Sequence, residues 1–154
     1  MNKKIIEKLV AEYKTNNPLE IANKLNIETL KYPLHKKIKG MFVYSSKIKK
    51  KYLIANSSLN KVMQKVVYAH ELGHAILHPH ICRYFINHNT LFSENRFEKE
   101  ANIFAAELLI KSKKINRFIL EKYSVDMIAY ELNLPKRLIE IKINNMKKMD
   151  HNFF

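Results

Sequence analysis

The sequence predicts one α+β domain, mostly helical, with a small sheet of about three strands packed on a central helix. Apolar residues recur at three- and four-residue spacing through most of the chain, which is the period of an amphipathic helix. Short apolar or alternating runs, the pattern typical of strands, are confined to residues 27–55. A length of 154 residues is the usual size of a single domain, and the sequence contains no internal repeat or linker.

Two helices and three strands are predicted before residue 56. The helices cover residues 3–14 and 19–25, and the strands cover residues 27–32, 41–44 and 52–55. Pro18 is expected in the first turn of the second helix, where a missing N–H is tolerated. The lysine-rich residues 45–51 predict a hairpin between the last two strands.

The remainder of the chain is predicted to be helical around one irregular segment. Asn56-Ser57-Ser58 offers an N-cap for a central helix that Pro79 closes. Residues 80–93 have no clean period and predict a loop or a short irregular helix. Later helices are expected at about residues 95–111, 115–123, 125–132 and 135–146.

The formal net charge of +14 is strongly basic and raises the question of nucleic-acid binding. Only four of the 28 basic residues are arginine, the side chain that forms bidentate contacts with phosphates and bases. The lysines are also dispersed in short clusters along the chain. Direct nucleic-acid binding is therefore possible but not favoured, and an acidic protein partner or solubility explains the charge better.

Cysteine content and hydropathy predict a cytoplasmic protein. The single cysteine, Cys82, excludes an internal disulfide framework, suits a reducing compartment and is interpreted as a lone buried thiol. No run of about 18 apolar residues is present, so no membrane span is predicted. The N-terminal segment becomes charged too soon for a signal peptide.

The segment His70-Glu71-Leu72-Gly73-His74 carries the strongest functional signal. Two histidines four residues apart on a helix project from one face, so both can ligate one metal ion. Glu71 between them is positioned to take a proton from an activated water. The motif predicts a zinc-dependent hydrolase.

The surroundings of this motif favour a metal over a plain buried helix. Between residues 66 and 77 its two histidines and Glu71 are the only ionisable groups apart from a tyrosine. Burying one carboxylate and two imidazoles costs several kcal/mol unless they are paired, and a divalent cation would pair with them. Gly73 inside the helix suggests that another element packs closely there.

Two candidates exist for the third metal ligand. His80 has the spacing of a third histidine, but the helix is expected to run on through Leu77 and carry it away from the metal. Glu98 on the next helix is favoured, although it could instead be a capping glutamate that reaches back to Asn95.

The face of this second helix supports the choice of Glu98. Four residues spaced three or four apart share this face: Glu98, Ala101, Asn102 and Ala105. The two alanines are small enough to let the two helices lie close together. Asn102 is predicted to support the site by accepting a hydrogen bond from His70, since ligating histidines normally use their second nitrogen in this way. Glu100 points about 200° away from Glu98 and is excluded as a ligand.

With these motifs, the chain resembles the ImmA/IrrE metallopeptidases, which have a small zincin-like domain. The resemblance covers residues 17–110 and rests on residues 17–22, 40–42, 69–78 and 98–109. It departs at residues 109–111, Leu-Ile-Lys, where the family usually has Leu-Met-Pro. We therefore expect one metallopeptidase domain over residues 1–154, with a core at 17–110 and a helical C-terminal extension at 111–154.

The resemblance implies roles for particular residues. His70, His74 and Glu98 would ligate one zinc ion per chain, Glu71 would be the general base, and Asn102 stands where the family commonly carries Asn or Asp. It further implies a cytoplasmic protease that cleaves a helix-turn-helix repressor, often of a phage or mobile element, to derepress genes.

Two rival functions and one catalytic assignment remain open at this point. Residues 124–147 could form a helix-turn-helix with three cations for phosphates, Lys136, Arg137 and Lys142. An inactive zincin could also act by sequestering a repressor. The donor to the oxyanion is not identified by the sequence, and the candidates are Tyr68, His78, His80, Tyr84 and His88.

Overall fold

The computed structural model describes residues 2–79 and 96–150, and side chains between residues 3 and 148 within those ranges. Cys82 and the predicted irregular segment at 80–93 lie outside them. The elements in chain order are α1 (Asn2–Tyr13), α2 (Pro18–Lys24), β1 (Ile27–Tyr32), β2 (Gly40–Ser45), β3 (Lys50–Asn56), α3 (Lys61–Leu77), α4 (Arg96–Leu109), α5 (Ser112–Leu120), α6 (Val125–Leu132) and α7 (Lys136–Asp150). The predicted α+β class, with a three-stranded sheet beside a central helix, is confirmed.

The predicted N-cap of α3 is wrong by a few residues. Asn60 caps the helix, and its side chain accepts a hydrogen bond from the Met63 N–H at 2.9 Å. Asn56 instead ends β3, where it is buried, and its amide donates to the carbonyl of Ile38 at 2.8 Å. Asn56 therefore fixes the loop before β2, which local sequence signals for a helix start do not reveal.

The sheet has the order β1-β3-β2, so β1 and β2 are its two edges. β1 runs parallel to β3, and β2 runs antiparallel to it with Phe42 opposite Leu53. The Asn56 N–H donates to the Lys39 carbonyl at 2.8 Å, which fixes which residues of β2 bond to β3. By the alternation of an antiparallel ladder, the backbone groups of Gly40 and Phe42 point towards the free edge.

Helix α3 lies between the sheet and α4, and both glycines of the chain occur at its contacts. A Cβ atom on Gly73 would stand 3.1 Å from Phe104 Cβ and 3.2 Å from Ala101 Cα on α4. A Cβ atom on Gly40 would stand 2.2 Å from Val67 Cγ1 of α3. The close packing predicted from Gly73 is present, and it brings α4 directly against the histidine-bearing helix.

The C-terminal helices pack onto the same core through α4 and α7. Lys142 on α7 is 1% exposed and donates to Glu107 on α4 at 2.6 Å. Lys136 pairs with Asp126 and Arg137 pairs with Glu140. The expectation that Lys142 is available for phosphate contacts is therefore wrong, because packing against α4 removes it from the surface.

Among residues 2–79 and 96–150, no helix is both long enough and apolar enough to cross a bilayer.

Candidate metal centre

Helix α3 carries the two histidines and Glu71 on its buried part. The helix is continuous from Lys61 to Leu77, so His70 and His74 lie one turn apart on the same face. His70 is fully buried, and the side chain of His74 is 12% exposed. Their Nε2 atoms are 3.1 Å apart, so both rings converge on one point at the surface of the helix.

Helix α4 brings Glu98 to the same point. Its Oε2 lies 3.2 Å from His70 Nε2, and its Oε1 lies 3.2 Å from His74 Nε2. These three side chains form the one group found in the described part of the chain that could hold a metal ion, with ligand atoms all within 4.8 Å of one another. His80 and Asn95, which figured in the alternative interpretations, lie outside the described residues.

The donor set fits a tetrahedral metal site. Zinc bonds of about 2.0–2.1 Å to nitrogen and oxygen ligands place the corners of a tetrahedron about 3.3 Å apart. The two imidazole nitrogens are 3.1 Å apart, which is close to this value, and each lies 3.2 Å from a different oxygen of Glu98. In addition, Glu98 Oε2 is buried without a hydrogen bond of good geometry among the described residues, as expected for an atom suited to a cation.

Electrostatics tie the three groups together. Burial acts to raise the pKa of Glu98, but the adjacent imidazoles of His70 and His74 outweigh it and hold the pKa at about 2. Burial likewise acts to lower the pKa of His74, but the hydrogen bond to Glu98 and the nearby negative charges raise it above its ordinary value. Glu98 is therefore a carboxylate at neutral pH, the form in which it can ligate a cation.

Glu71 lies beside this cluster but faces the sheet. Glu71 is 2% exposed, and this burial raises the pKa of its carboxyl. The backbone N–H of Phe42 donates to the carboxylate, which acts to lower that pKa. Its Oε1 has no hydrogen-bond partner among the described residues. A Cβ atom on Gly40 would stand 3.4 Å from that oxygen, an ordinary contact distance, so β2 passes beside the carboxylate at this residue.

Asn102 is buried on α4, one turn after Glu98, as the helical spacing predicts. The predicted hydrogen bond from His70 is not formed, because His70 Nδ1 has no hydrogen-bond partner among the described residues. The helical period places Asn102 on the correct face of α4, but it does not fix which way its amide turns.

Two candidates for the oxyanion donor can be placed. Tyr68 donates its hydroxyl to the Leu30 carbonyl at 2.8 Å and is buried, so it is already engaged in holding β1 to α3. His78 lies one turn after His74, with its Nε2 3.2 Å from Glu100 and its ring against Phe97. The predicted exclusion of Glu100 from the metal ligands agrees with this pairing. Tyr84, His80 and His88 lie outside the described residues.

Sequence reasoning missed two contributors to the site. The first is Gly40, whose signal was available, since the chain has only two glycines and one stands at the start of a strand. The second is the Phe42 backbone N–H, which reaches Glu71 only because β2 is an edge strand next to α3. A backbone donor of this kind has no sequence signature.

The fold and this centre together define a metallopeptidase-like domain. The chain belongs to the ImmA/IrrE family, since the model of the IrrE N-terminal-like domain matches residues 22–144. It is 37% identical over 140 residues to "Uncharacterized immunity region protein 2" of Bacillus phage phi105, covering 91% of this chain and 87% of that protein. It is 26% identical over 151 residues to "Metallopeptidase ImmA" of Bacillus subtilis (strain 168), covering 97% and 88% of the two chains.

The departure from the family pattern at residues 109–111 leaves the helix end intact. α4 ends at Leu109, and Ile110 is 1% exposed within the core before α5 begins at Ser112. The position that the family usually fills with methionine is therefore still occupied by a buried apolar side chain. The departure lies at the opposite end of α4 from Glu98.

Proposed function

We propose that this protein is a zinc-dependent endopeptidase that holds one zinc ion by His70, His74 and Glu98. The observation that carries the proposal is the convergence of these three side chains from two helices, with ligand atoms within 4.8 Å of one another and Glu71 alongside. Membership of a peptidase family and similarity to a metallopeptidase support the same chemistry.

Glu71 is the general base in this proposal. When bound, zinc supplies Lewis-acid chemistry, lowering the pKa of a coordinated water and polarising the scissile carbonyl. Glu71 accepts the proton as the water attacks, and it later delivers that proton to the leaving amine. The Phe42 N–H steadies the carboxylate, and Oε1 stays available for the proton.

The free edge of β2 is the proposed docking line for the substrate backbone. A peptide in extended conformation can add to an exposed sheet edge through main-chain hydrogen bonds. The outward-pointing groups of β2 begin at Gly40 and continue at Phe42, whose N–H already donates to Glu71 and so marks where this edge meets the carboxylate. A peptide bound there would run directly past the general base and the metal ligands.

We further propose that the substrate is a cytoplasmic helix-turn-helix repressor of a phage or mobile element, whose cleavage derepresses genes. The names of the relatives, an immunity-region protein of a phage and a metallopeptidase, support this context. Residues 1–154 would act as one metallopeptidase domain with a core at 17–110, because the extension at 111–154 packs against α4 through α7.

The two helices of the rival helix-turn-helix are present as α6 and α7, with Asn133 in a left-handed conformation between them. Within the described residues, the three cations considered for DNA contacts are each paired with a carboxylate: Lys136, Arg137 and Lys142. A catalytically inactive binding protein would not need a carboxylate at Glu71 with one oxygen free of hydrogen bonds.

The proposal is tested by incubating the zinc-loaded protein with the repressor encoded beside it and following cleavage by mass spectrometry. We expect cleavage by the wild type and none by Glu71→Gln, while the variant keeps its zinc. Zinc binding by the wild type without any cleavage of that repressor, with the repressor bound intact, would support the sequestering alternative instead.

A further inference from the structure

A basic groove lies along the outer face of α5. Its volume is about 440 Å³, and it is lined by Lys111, Lys113, Lys114, Asn116, Arg117 and Leu120. Of these described residues, four carry a positive charge and none is a carboxylate. The lining includes none of the proposed zinc ligands and no residue of β2, so neither the metal centre nor the proposed substrate edge uses this surface.

The helical period of α5 separates this groove from the core. Ile115 and Phe118 are buried and attach one face of the helix to the domain. Lys113, Arg117 and Leu120, at positions i, i+4 and i+7, share the opposite face. All three are exposed, and Leu120 is 82% exposed. The groove therefore offers a partner both charge and apolar surface without any rearrangement of the core.

The cations of this groove are available to a partner. Among the residues that the structure describes, the ammonium groups of Lys111, Lys113 and Lys114 form no ion pair. Arg117 Nε lies 3.5 Å from Glu121, and both side chains are largely in solvent. An ion pair this exposed is weak, and the guanidinium keeps further donors. With Glu121 counted against the four cations, the surface keeps a net charge of +3.

The length of the groove fits a peptide segment better than a small ion. Seven residues separate Lys113 from Leu120, which corresponds to about 10 Å, or two turns, along the helix axis. A small anion would contact the lysines at one end and leave Leu120 in water. A segment of a protein can place carboxylates at that end and an apolar side chain at the other.

We infer that this groove docks an acidic segment of a partner protein, with its carboxylates on Lys113, Lys114 and Arg117 and an apolar side chain against Leu120. A second copy of this chain is a poor partner, because two chains of net charge +14 repel each other. The surface is separate from the metal centre, and the inference does not rest on the proposed peptidase activity.

Two other polyanions suit this surface less well. A helix that binds a lipid surface needs its apolar face free to enter the bilayer, and in α5 that face is occupied in the core by Ile115 and Phe118. A nucleic-acid duplex would set its phosphates and sugars against Leu120. The groove also holds only one arginine, the side chain that makes bidentate phosphate contacts.

Fluorescence anisotropy with the zinc-loaded protein and short labelled peptides tests this inference. The probe is a peptide with glutamate and leucine at helical spacing; one control replaces its glutamates with glutamine, and the other replaces its leucines with serine. We expect a dissociation constant on the order of 10–100 µM for the probe at low salt, about tenfold weaker binding of the glutamine control and about fivefold weaker binding of the serine control. Equal affinity for the probe and either control would overturn the inference.

Charge-reversal variants localise the binding. Lys113→Glu with Lys114→Glu should weaken binding of the acidic peptide by about tenfold or more. Lys147→Glu with Lys148→Glu makes the same change on exposed residues of α7 and should alter the affinity by less than about twofold. Equal losses in the two double variants would show that net charge alone attracts the peptide, and they would overturn the inference.

A second pair of variants tests the apolar contact. Leu120→Ser should weaken peptide binding by about fivefold, and the fold should tolerate the change because the side chain is mostly in solvent. Ile48→Ser, at an apolar residue that is 55% exposed between β2 and β3, is the matched control and should have no effect. Unchanged affinity in Leu120→Ser would contradict the proposed docking.

A DNA duplex and vesicles containing phosphatidylserine, offered to the same protein, decide between kinds of partner. At about 150 mM salt we expect both to bind more weakly than the acidic peptide, because screening removes most of an attraction that is purely electrostatic. Tighter binding of the duplex or of the vesicles, lost in the Lys113 and Lys114 double variant, would assign the groove to that polyanion and overturn the inference.

Discussion

Gly73 of α3 lies against Phe104 of α4 so closely that a Cβ atom on the glycine would be 3.1 Å from Phe104 Cβ and 3.2 Å from its Cδ1. The contact lies one residue before His74 on α3, and Glu98 lies on the other helix. The distance between these helices therefore sets the distance between the proposed metal ligands that they carry.

Gly73→Ala is expected to weaken zinc binding more than it weakens folding. Alanine gains about 1 kcal/mol in helix propensity, which offsets part of the cost of about 1–3 kcal/mol for crowding Phe104. The helices must separate by a few tenths of an ångström, and we expect zinc affinity to fall by about tenfold. Competition titration with a zinc chelator measures the affinity. Lys65→Ala, on the exposed side of α3, serves as the control, and an unchanged affinity in Gly73→Ala would contradict the argument.

Gly40→Ala is expected to destabilise the fold by about 2 kcal/mol, because inserting a methyl group into a packed contact forces the backbone to shift. The new Cβ would lie 2.2 Å from Val67 Cγ1 and 2.7 Å from the Ile54 carbonyl oxygen. Urea unfolding gives the free energy. Since Val67→Ala removes one of the two clashes, the glycine substitution should cost less in that background. Equal costs in both backgrounds would show that Val67 is not the obstacle.

Lys142 and Glu107 are each expected to be tolerated in the interior only when the other is present. Both side chains are at most 5% exposed, so Lys142→Met leaves a buried carboxylate without its cation and should cost about 3–5 kcal/mol. Replacing both, Lys142→Met with Glu107→Leu, should cost much less than either single change. A double-mutant cycle by chemical denaturation measures the coupling. If the free-energy costs of the two single variants add up to the cost of the double variant, the two side chains do not stabilise each other.

Removal of the metal is expected to lower the thermal stability. At a free zinc concentration of about 100 times the dissociation constant, binding contributes about 2.7 kcal/mol, which corresponds to a Tm shift of roughly 5–10 °C for a chain of this size. Calorimetry before and after treatment with EDTA measures the shift, and added zinc should restore it. In Glu98→Ala the same treatment should have little effect, and a full shift in that variant would show that the metal stabilises the protein elsewhere.

The features that sequence could predict are those with a local period. The spacing of His70 and His74, and the position of Glu98 on a separate helix face, follow from the geometry of an α-helix, and the structure brings these residues together. The three strands were located for the same reason, because alternation and turn signals are local.

The features that sequence could not predict depend on contacts between distant segments. Lys142 is buried only because Glu107, 35 residues earlier, supplies a buried partner. Asn56 was assigned to a helix start because its role in fixing the loop near Ile38 requires knowledge of the tertiary fold. The parallel pairing of β1 with β3 likewise has no local signal.

The measurement that tests the central claim most directly is the zinc content of purified variants, determined by mass spectrometry with affinity from competition titration. We predict one zinc ion per chain in the wild type, loss of zinc in Glu98→Ala, and retention in Glu100→Gln and His80→Ala. The Glu100 variant is the matched control, because that carboxylate lies two residues from Glu98 on the same helix and contacts His78 instead. Full zinc content at wild-type affinity in Glu98→Ala, together with its loss in His80→Ala, would contradict the assignment.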